Sequence, residues 1–204
     1  MGNREQRRLA ILAAAAEVFT QRGFHGARTA DVARRANISK RDLYAAFRSK
    51  EELLGGLIAE GAKAMTAPLS LGTPPTRAAF YATLDAFGRE FLEKQLSPPR
   101  LALLRLTIAR AAENPDQPGH PDAAVRESVW KPLASFFAAA DGARLVRFAS
   151  AQEAAAVFLW VLEGELLARA LLDPAFRASA AECGARVDHA LRTVMALDTQ
   201  GGKT

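Results

Sequence analysis

The chain has 204 residues, half of them apolar and 7% aromatic, with one cysteine and a formal net charge of +5. That length allows one or two small domains, a single cysteine excludes an internal disulfide, and no apolar run reaches the about 20 residues that a membrane helix needs. The charge is uneven: the first 50 residues hold 11 Lys/Arg against 4 Asp/Glu and the remainder 16 against 18, so a basic end precedes a near-neutral, Ala- and Leu-rich body that reads as all-α.

The first predicted helix runs from Arg4 to Arg22, with Ile11, Leu12, Ala15, Val18 and Phe19 on one stripe and Gly23 as its stop. Arg4, Arg7 and Arg8 open it, either as an arm that tracks phosphates or as a solvated, frayed end. Arg4, Arg7 and Arg8 lead into an amphipathic segment containing Glu17, not a secretory signal, and the reading is a soluble, cytoplasmic chain. Thr29 is the expected N-cap of a short second helix whose inner side holds Val32, Ala33 and Ala36. A tight turn follows at Asn37-Ile38, where asparagine can take a left-handed backbone without glycine. Ser39 then caps a third helix over Lys40 to Phe47. Ser49 caps a fourth, with Glu52 at the capping-box position.

Two short helices joined by such a turn form the helix-turn-helix unit, which lays its second helix in a DNA major groove. At about 100° per residue, Leu43 and Phe47 share an inner face, and Arg41, Tyr44, Ala45 and Arg48 lie opposite. A basic face with one aromatic suits phosphates and base edges, although a solvated polar face on an ordinary helical hairpin has the same pattern.

The run T-x-x-x-V-A, then A-N-I-S-K-x-x-L-Y-x-x-F-x-S-K-E-E-L-L, behind the opening ILAAAAEVFTQRGFHG, resembles the DNA-binding part of TetR-family transcriptional regulators. The resemblance covers about Arg8 to Leu54. It implies DNA contacts at Thr29, Ser39, Lys40, Tyr44 and Lys50, to which Arg28, Arg41 and Arg48 join as candidates. Three residues depart from the family pattern: Asn37 and Arg41 stand where glycine is frequent, and Ala46 where histidine often precedes the phenylalanine. Arg41 adds a cation to the outer face and Ala46 removes a polar contact.

The next helix, from near Lys50 to Met65, contains Gly55, Gly56 and Gly61, each costing about 1 kcal/mol relative to alanine. They serve either as a pivot or as a close approach to the first helix. The expected domains are a helix-turn-helix DNA-binding domain, residues 1–54, and a helical effector-binding and dimerisation domain, residues 55–200, with about nine helices in all. Pro68 to Pro75 is an exposed loop. Thr76 to Leu96 carries Phe80, Leu84, Phe87 and Phe91 on one face. Ser97-Pro98 opens a helix with Leu103, Leu104, Leu106, Ile108, Thr107 and Arg110. A loop from Asn114 precedes a helix from about Pro121 to Ala140, ended by Asp141-Gly142. Ser150 caps the nearly all-round apolar AAAVFLWVLEGELLARALL, and Asp173-Pro174 opens the last helix, Ala175 to about Leu197.

Two long C-terminal helices and a single reading helix point to a homodimer on a two-fold DNA site, with Leu159, Leu162, Leu166, Val187, Leu191 and Val194 at the interface; a monomer that covers these helices itself is the other possibility. The family resemblance implies the same dimer and a small-molecule effector site in the body. Candidates for that site are Phe87, Phe91, Leu104, Thr107, Arg110, Trp130, Phe137, Phe158 and Glu163, the last one turn from Trp160. Aromatic stripes at this spacing equally form plain core. His25, His120 and His189 are scattered, no nucleophile, metal or phosphate-loop motif occurs, and neither enzyme activity, cofactor nor metal is expected. The reading is a ligand-responsive DNA-binding regulator, a repressor released by a small apolar molecule. The alternative is a non-responsive architectural protein whose body serves only dimerisation.

Overall fold

A computed structural model describes residues 3–113 and 126–200. Among the described residues there are nine α-helices and no strand: α1 (Asn3–Gly26), α2 (Thr29–Arg35), α3 (Lys40–Ala46), α4 (Lys50–Met65), α5 (Arg77–Gln95), α6 (Pro98–Glu113), α7 (Lys131–Gly142), α8 (Ala151–Leu172) and α9 (Ala180–Leu197). A short 3₁₀ segment, Ala67–Leu71, follows α4, and a π-helical turn, Arg126–Trp130, leads into α7. The chain divides into two compact units. One takes the residues up to Gly61 together with α6; the other takes Ala62–Ser97 and the described residues from Arg126 onward. The loop expected from Asn114 and the start of the helix expected from Pro121 lie outside the described residues.

In the first unit the predicted stripe is the core. Ile11, Leu12, Ala15, Val18 and Phe19 are buried, and so are Val32, Leu43, Phe47, Leu53, Ile58 and Leu101. Gly23 does not end α1 outright. Its left-handed backbone (φ 67°) breaks the helix, and one more turn carries on to Gly26. Asp31 accepts from Arg22 (2.5 Å) and Arg34 (2.8 Å), tying α2 back to α1. Within α4, a methyl group on Gly56 would meet Leu12 and Phe47 side-chain carbons at 3.0 Å, whereas one on Gly55 would meet nothing within 4 Å. Gly56 is therefore a close-packing position, and Gly55 is open.

The second unit is built on phenylalanine. Phe80 stacks on Phe136 at 5.4 Å and meets Phe137 edge-on at 5.2 Å; Phe87 lies 5.4 Å from Phe91 and 6.2 Å from Phe158. Each fully buried ring of this kind is worth about 1.5–3 kcal/mol in burial. Around them pack α5, α7, α8 and α9. The helix α8 breaks at Gly164 (φ 37°), where the Arg186 guanidinium fills the space a side chain would need. The last helix begins later than the sequence suggested. Asp173 closes a turn by accepting from the Ala175 N–H at 2.8 Å, and α9 starts only after Ser179, which forms a reciprocal capping box with Glu182.

The end of this unit is tied by one carboxylate. Asp198, with its side chain fully buried, accepts from Arg77 Nε and Tyr81 OH at 3.0 Å each, from the Arg147 N–H at 2.9 Å and from the Gln200 N–H at 3.1 Å. Burial alone would push this carboxyl up, but those donors hold it below the ordinary carboxylate range. The same burial, together with Asp198, raises the Tyr81 phenol.

Candidate nucleic-acid interface

The turn between α2 and α3 is closed by backbone chemistry. Asn37 takes a left-handed φ of 53°, the Ile38 N–H donates to Ala33 O at 3.0 Å and the Asn37 N–H to Arg34 O at 3.2 Å. This is a Schellman closure with asparagine where glycine is usual. Two residues later the Ser39 hydroxyl accepts from the Asp42 N–H at 3.1 Å and starts α3. The start of α4 is held by Ser49, which accepts from the Glu52 N–H at 3.1 Å, while Glu52 reaches back to the Arg48 N–H at 2.6 Å.

These contacts fix how α3 is turned. Leu43 and Phe47 are buried inward, and Lys40, Arg41, Tyr44, Ala45 and Arg48 are exposed on the outside. Tyr44 leaves 48% of its surface open. Its hydroxyl lies 3.0 Å from Thr29 Oγ1, so two of the expected contact residues, from different helices, meet in one hydrogen-bonded pair. Thr29 is consequently not a cap. The N-cap of α2 is Arg28, extended at φ −109°, with no side-chain cap bond. Arg28 is itself exposed.

Lys50 differs from the other expected contacts. Its ammonium donates to Phe24 O at 2.6 Å and to Ala27 O at 3.2 Å, and it sits 4.5 Å from the centre of the Phe24 ring. This lysine secures the chain that leaves α1. Sequence spacing could not show that, because its partners lie 23 and 26 residues away.

Residues 11–57 match the family model described as bacterial regulatory proteins of the tetR family, and residues 82–197 match the C-terminal domain of AefR-like transcriptional repressors. The chain belongs to the TetR family. As a TetR-family transcriptional regulator it is a transcription factor, not an enzyme, and members of this family bind DNA and act as dimers. The chain is 50% identical over 50 residues to the transcriptional activator FasR of Mycolicibacterium smegmatis, a match spanning 24% of this chain and 23% of that protein. It therefore covers under a quarter of that curated relative's length. In fold it is similar to a TetR-family regulator from Mesorhizobium loti (22% identity, 97% of this chain and 99% of that one, TM-score 0.75) and to the flavonoid-responsive regulator FrrA (24% identity, 95% and 97%, TM-score 0.69).

The residues expected to line an effector site fall in both compact units. Leu104 and Thr107 belong to α6, where the Thr107 hydroxyl donates to its own helix at Leu103 O, 2.8 Å away; the Arg110 side chain lies outside the described residues. In the second unit Phe87, Phe91, Phe137 and Phe158 are packed against one another with at most 1% of their surface exposed, and Trp130 packs partly buried on the same core. Glu163 accepts from the buried Gln95 amide at 3.0 Å, while Trp160 turns outward, so the acid and the indole do not form one site.

The residues expected at a dimer interface are also spent internally. Leu159, Leu162, Leu166, Val187 and Val194 are at most 5% exposed within the single chain, and Leu191 packs partly buried. An all-round apolar helix gives no sequence signal of which face its own chain covers. The open faces of the same helices carry Trp160 (67% exposed) and Leu172 (85%) on α8, and Met195 and Leu197 on α9. Among the described residues no helix is long and apolar enough to cross a membrane, and no group of three potential metal ligands occurs.

Proposed function

We propose that this chain is a homodimeric, ligand-responsive regulator that occupies a two-fold DNA site and is released from it by a small apolar molecule. The observation that carries the DNA part is the outer face of α3, where Arg41, Tyr44 and Arg48 stand exposed opposite the buried Leu43 and Phe47. On this reading Arg41 reads base edges, Lys40, Arg48 and Arg28 meet phosphates, and the Thr29–Tyr44 pair seats against the backbone. Ser39 serves mainly as the cap that orients them. We assign the domain of residues 55–200 to dimerisation and effector binding.

The dimer face follows from exposure. Large apolar groups left open along α8 and α9 are what a second copy covers in a four-helix contact. We therefore assign it to Trp160, Leu172 and Met195, with the buried leucines and valines behind them as support. For responsiveness, the support is the part-buried polar pair of Gln95 and Glu163 beside the aromatic core, together with the family match over residues 82–197. A ligand that favours one body shape changes the spacing of two heads, which must span successive major grooves about 34–36 Å apart. The solid packing of Phe87, Phe91, Phe137 and Phe158 favours the second reading, a DNA-binding protein whose body is only a scaffold.

The test is selection of sheared genomic DNA on the purified protein, followed by a screen of small apolar molecules against the recovered site. One or a few two-fold sites, with affinity lost on addition of one compound class, is the expected result. Sites that no compound releases support the scaffold reading, and no enrichment over random fragments refutes both. The sign of regulation follows from transcription measured with and without the protein.

A further inference from the structure

Arg4, Arg7 and Arg8 lie ahead of residues 11–57, outside the family match. In the first unit they share a face of α1 at i, i+3 and i+4. Between that face and α3 lies a cleft of about 290 Å³, closed on the α3 side by Asp42, Ala45 and Ala46. The three arginines play different parts. The Arg8 guanidinium lies 4.6 Å from the centre of the Phe47 ring and packs near Gly56, so it is built into the unit. Arg4 and Arg7 are exposed. Arg7 reaches Asp42 at only 3.9 Å, with both side chains open to solvent, and the other Asp42 oxygen accepts from the Ser39 hydroxyl at 2.8 Å. Glu5 is the second acid at the cleft, leaving it with a net positive charge.

We propose that this cleft clasps one DNA phosphodiester beside the groove that α3 reads, with Arg4 and Arg7 as its donors and Arg8 as the fixed wall. The inference rests on the DNA-binding reading. Two observations carry it. Ala45, on the cleft wall, lies one turn from Arg41 on the outer face of α3, so cleft and reading face are continuous. The small side chains of Ala45 and Ala46 also leave the space open, and its volume admits a phosphate with several waters at about 30 Å³ each. Asp42 meets Arg7 only at 3.9 Å and with both side chains open to solvent, so Arg7 can turn to a diester that Arg4 also attracts.

The experiment is a salt titration of binding to the recovered site and to a random duplex, for the full chain, for Arg4→Gln/Arg7→Gln and for Arg4→Lys/Arg7→Lys. One phosphate per protomer predicts that the Gln pair flattens the slope of log affinity against log salt by about 1.8 for the dimer, or roughly tenfold in affinity between about 50 and 200 mM salt. The loss is expected on both duplexes alike, with site preference and thermal stability unchanged, and the Lys pair is expected to retain the slope. An unchanged slope in the Gln pair, a changed site preference, or an equal loss in the Lys pair overturns the clasp. A wild-type chain that selects no site, yet shows the slope difference on random duplex, refutes the regulator reading and leaves the clasp standing.

Discussion

Removing the Asp198 carboxylate should loosen the C-terminal unit more than any other single polar change. Four hydrogen bonds and the Arg77 ion pair converge on it. The Arg77 side chain is 45% exposed, so its share is screened and small, below about 1 kcal/mol. The Tyr81 hydroxyl and the Arg147 N–H are part of the packed structure, and a bond from each to a charged acceptor is worth about 1.5–3 kcal/mol. Asp198→Ala is therefore expected to cost about 3–6 kcal/mol, which for a chain of this size lowers Tm by roughly 10–20 °C. Asp198→Asn adds a pH signature. The folded carboxyl titrates below its unfolded value, near 3.9, so its contribution is complete above that pH and fades as pH falls through the folded value. Urea melts followed by circular dichroism at about pH 7 and pH 3 should show a smaller gap between wild type and Asp198→Asn at the lower pH than at the higher. A cost for Asp198→Ala below about 1 kcal/mol, or a gap that does not change with pH, would refute the reasoning.

Other perturbations test separate parts of the molecule. Lys50→Ala should destabilise the first unit by about 1–2 kcal/mol and speed amide exchange at Ala27, since two carbonyls and a ring lose their cation; unchanged exchange would make Lys50 a free surface residue. Gly55→Ala and Gly56→Ala should move Tm in opposite directions: the first gains up to about 1 kcal/mol of helix propensity, and the second loses about 1–3 kcal/mol against Leu12 and Phe47. Tyr44→Ala should lower site affinity by about 1–3 kcal/mol in an anisotropy titration without changing the oligomeric state, and normal binding would mean that α3 docks by another face. Trp160→Glu should shift the sedimentation of the dimer toward monomer, whereas Leu162→Ala, which empties core space, should lower Tm and leave association intact.

The N-terminal unit was legible because its signals are local. Asn37, Ser39 and Ser49 each act within five residues of their own position, and spacing alone puts Leu43 and Phe47 on the inside. Thr29 misled because threonine before a helix reads as a cap, while its hydroxyl is taken by Tyr44, fifteen residues on. In the body the helices themselves followed from their period. The start of α9 did not, although Ser179 and Glu182 carry the capping-box spacing, because Asp173-Pro174 offers an earlier start signal of the same kind. Burial along α8 was unreadable, since an apolar side chain does not say whether its own chain or another copy covers it. The Asp198 hub joins residues up to 121 positions apart, and no local pattern announces it.

The internal anchoring of Lys50, the Schellman turn at Asn37 and the Thr29–Tyr44 bond have a kinetic consequence. The backbone that presents Arg41 and Tyr44 is already ordered before any duplex arrives. The entropy of arranging this face is thus spent during folding and not on encounter. Association should then run close to the rate that orientation and charge steering permit, and differences in affinity between good and poor sites should lie in how long the complex survives, not in how fast it forms.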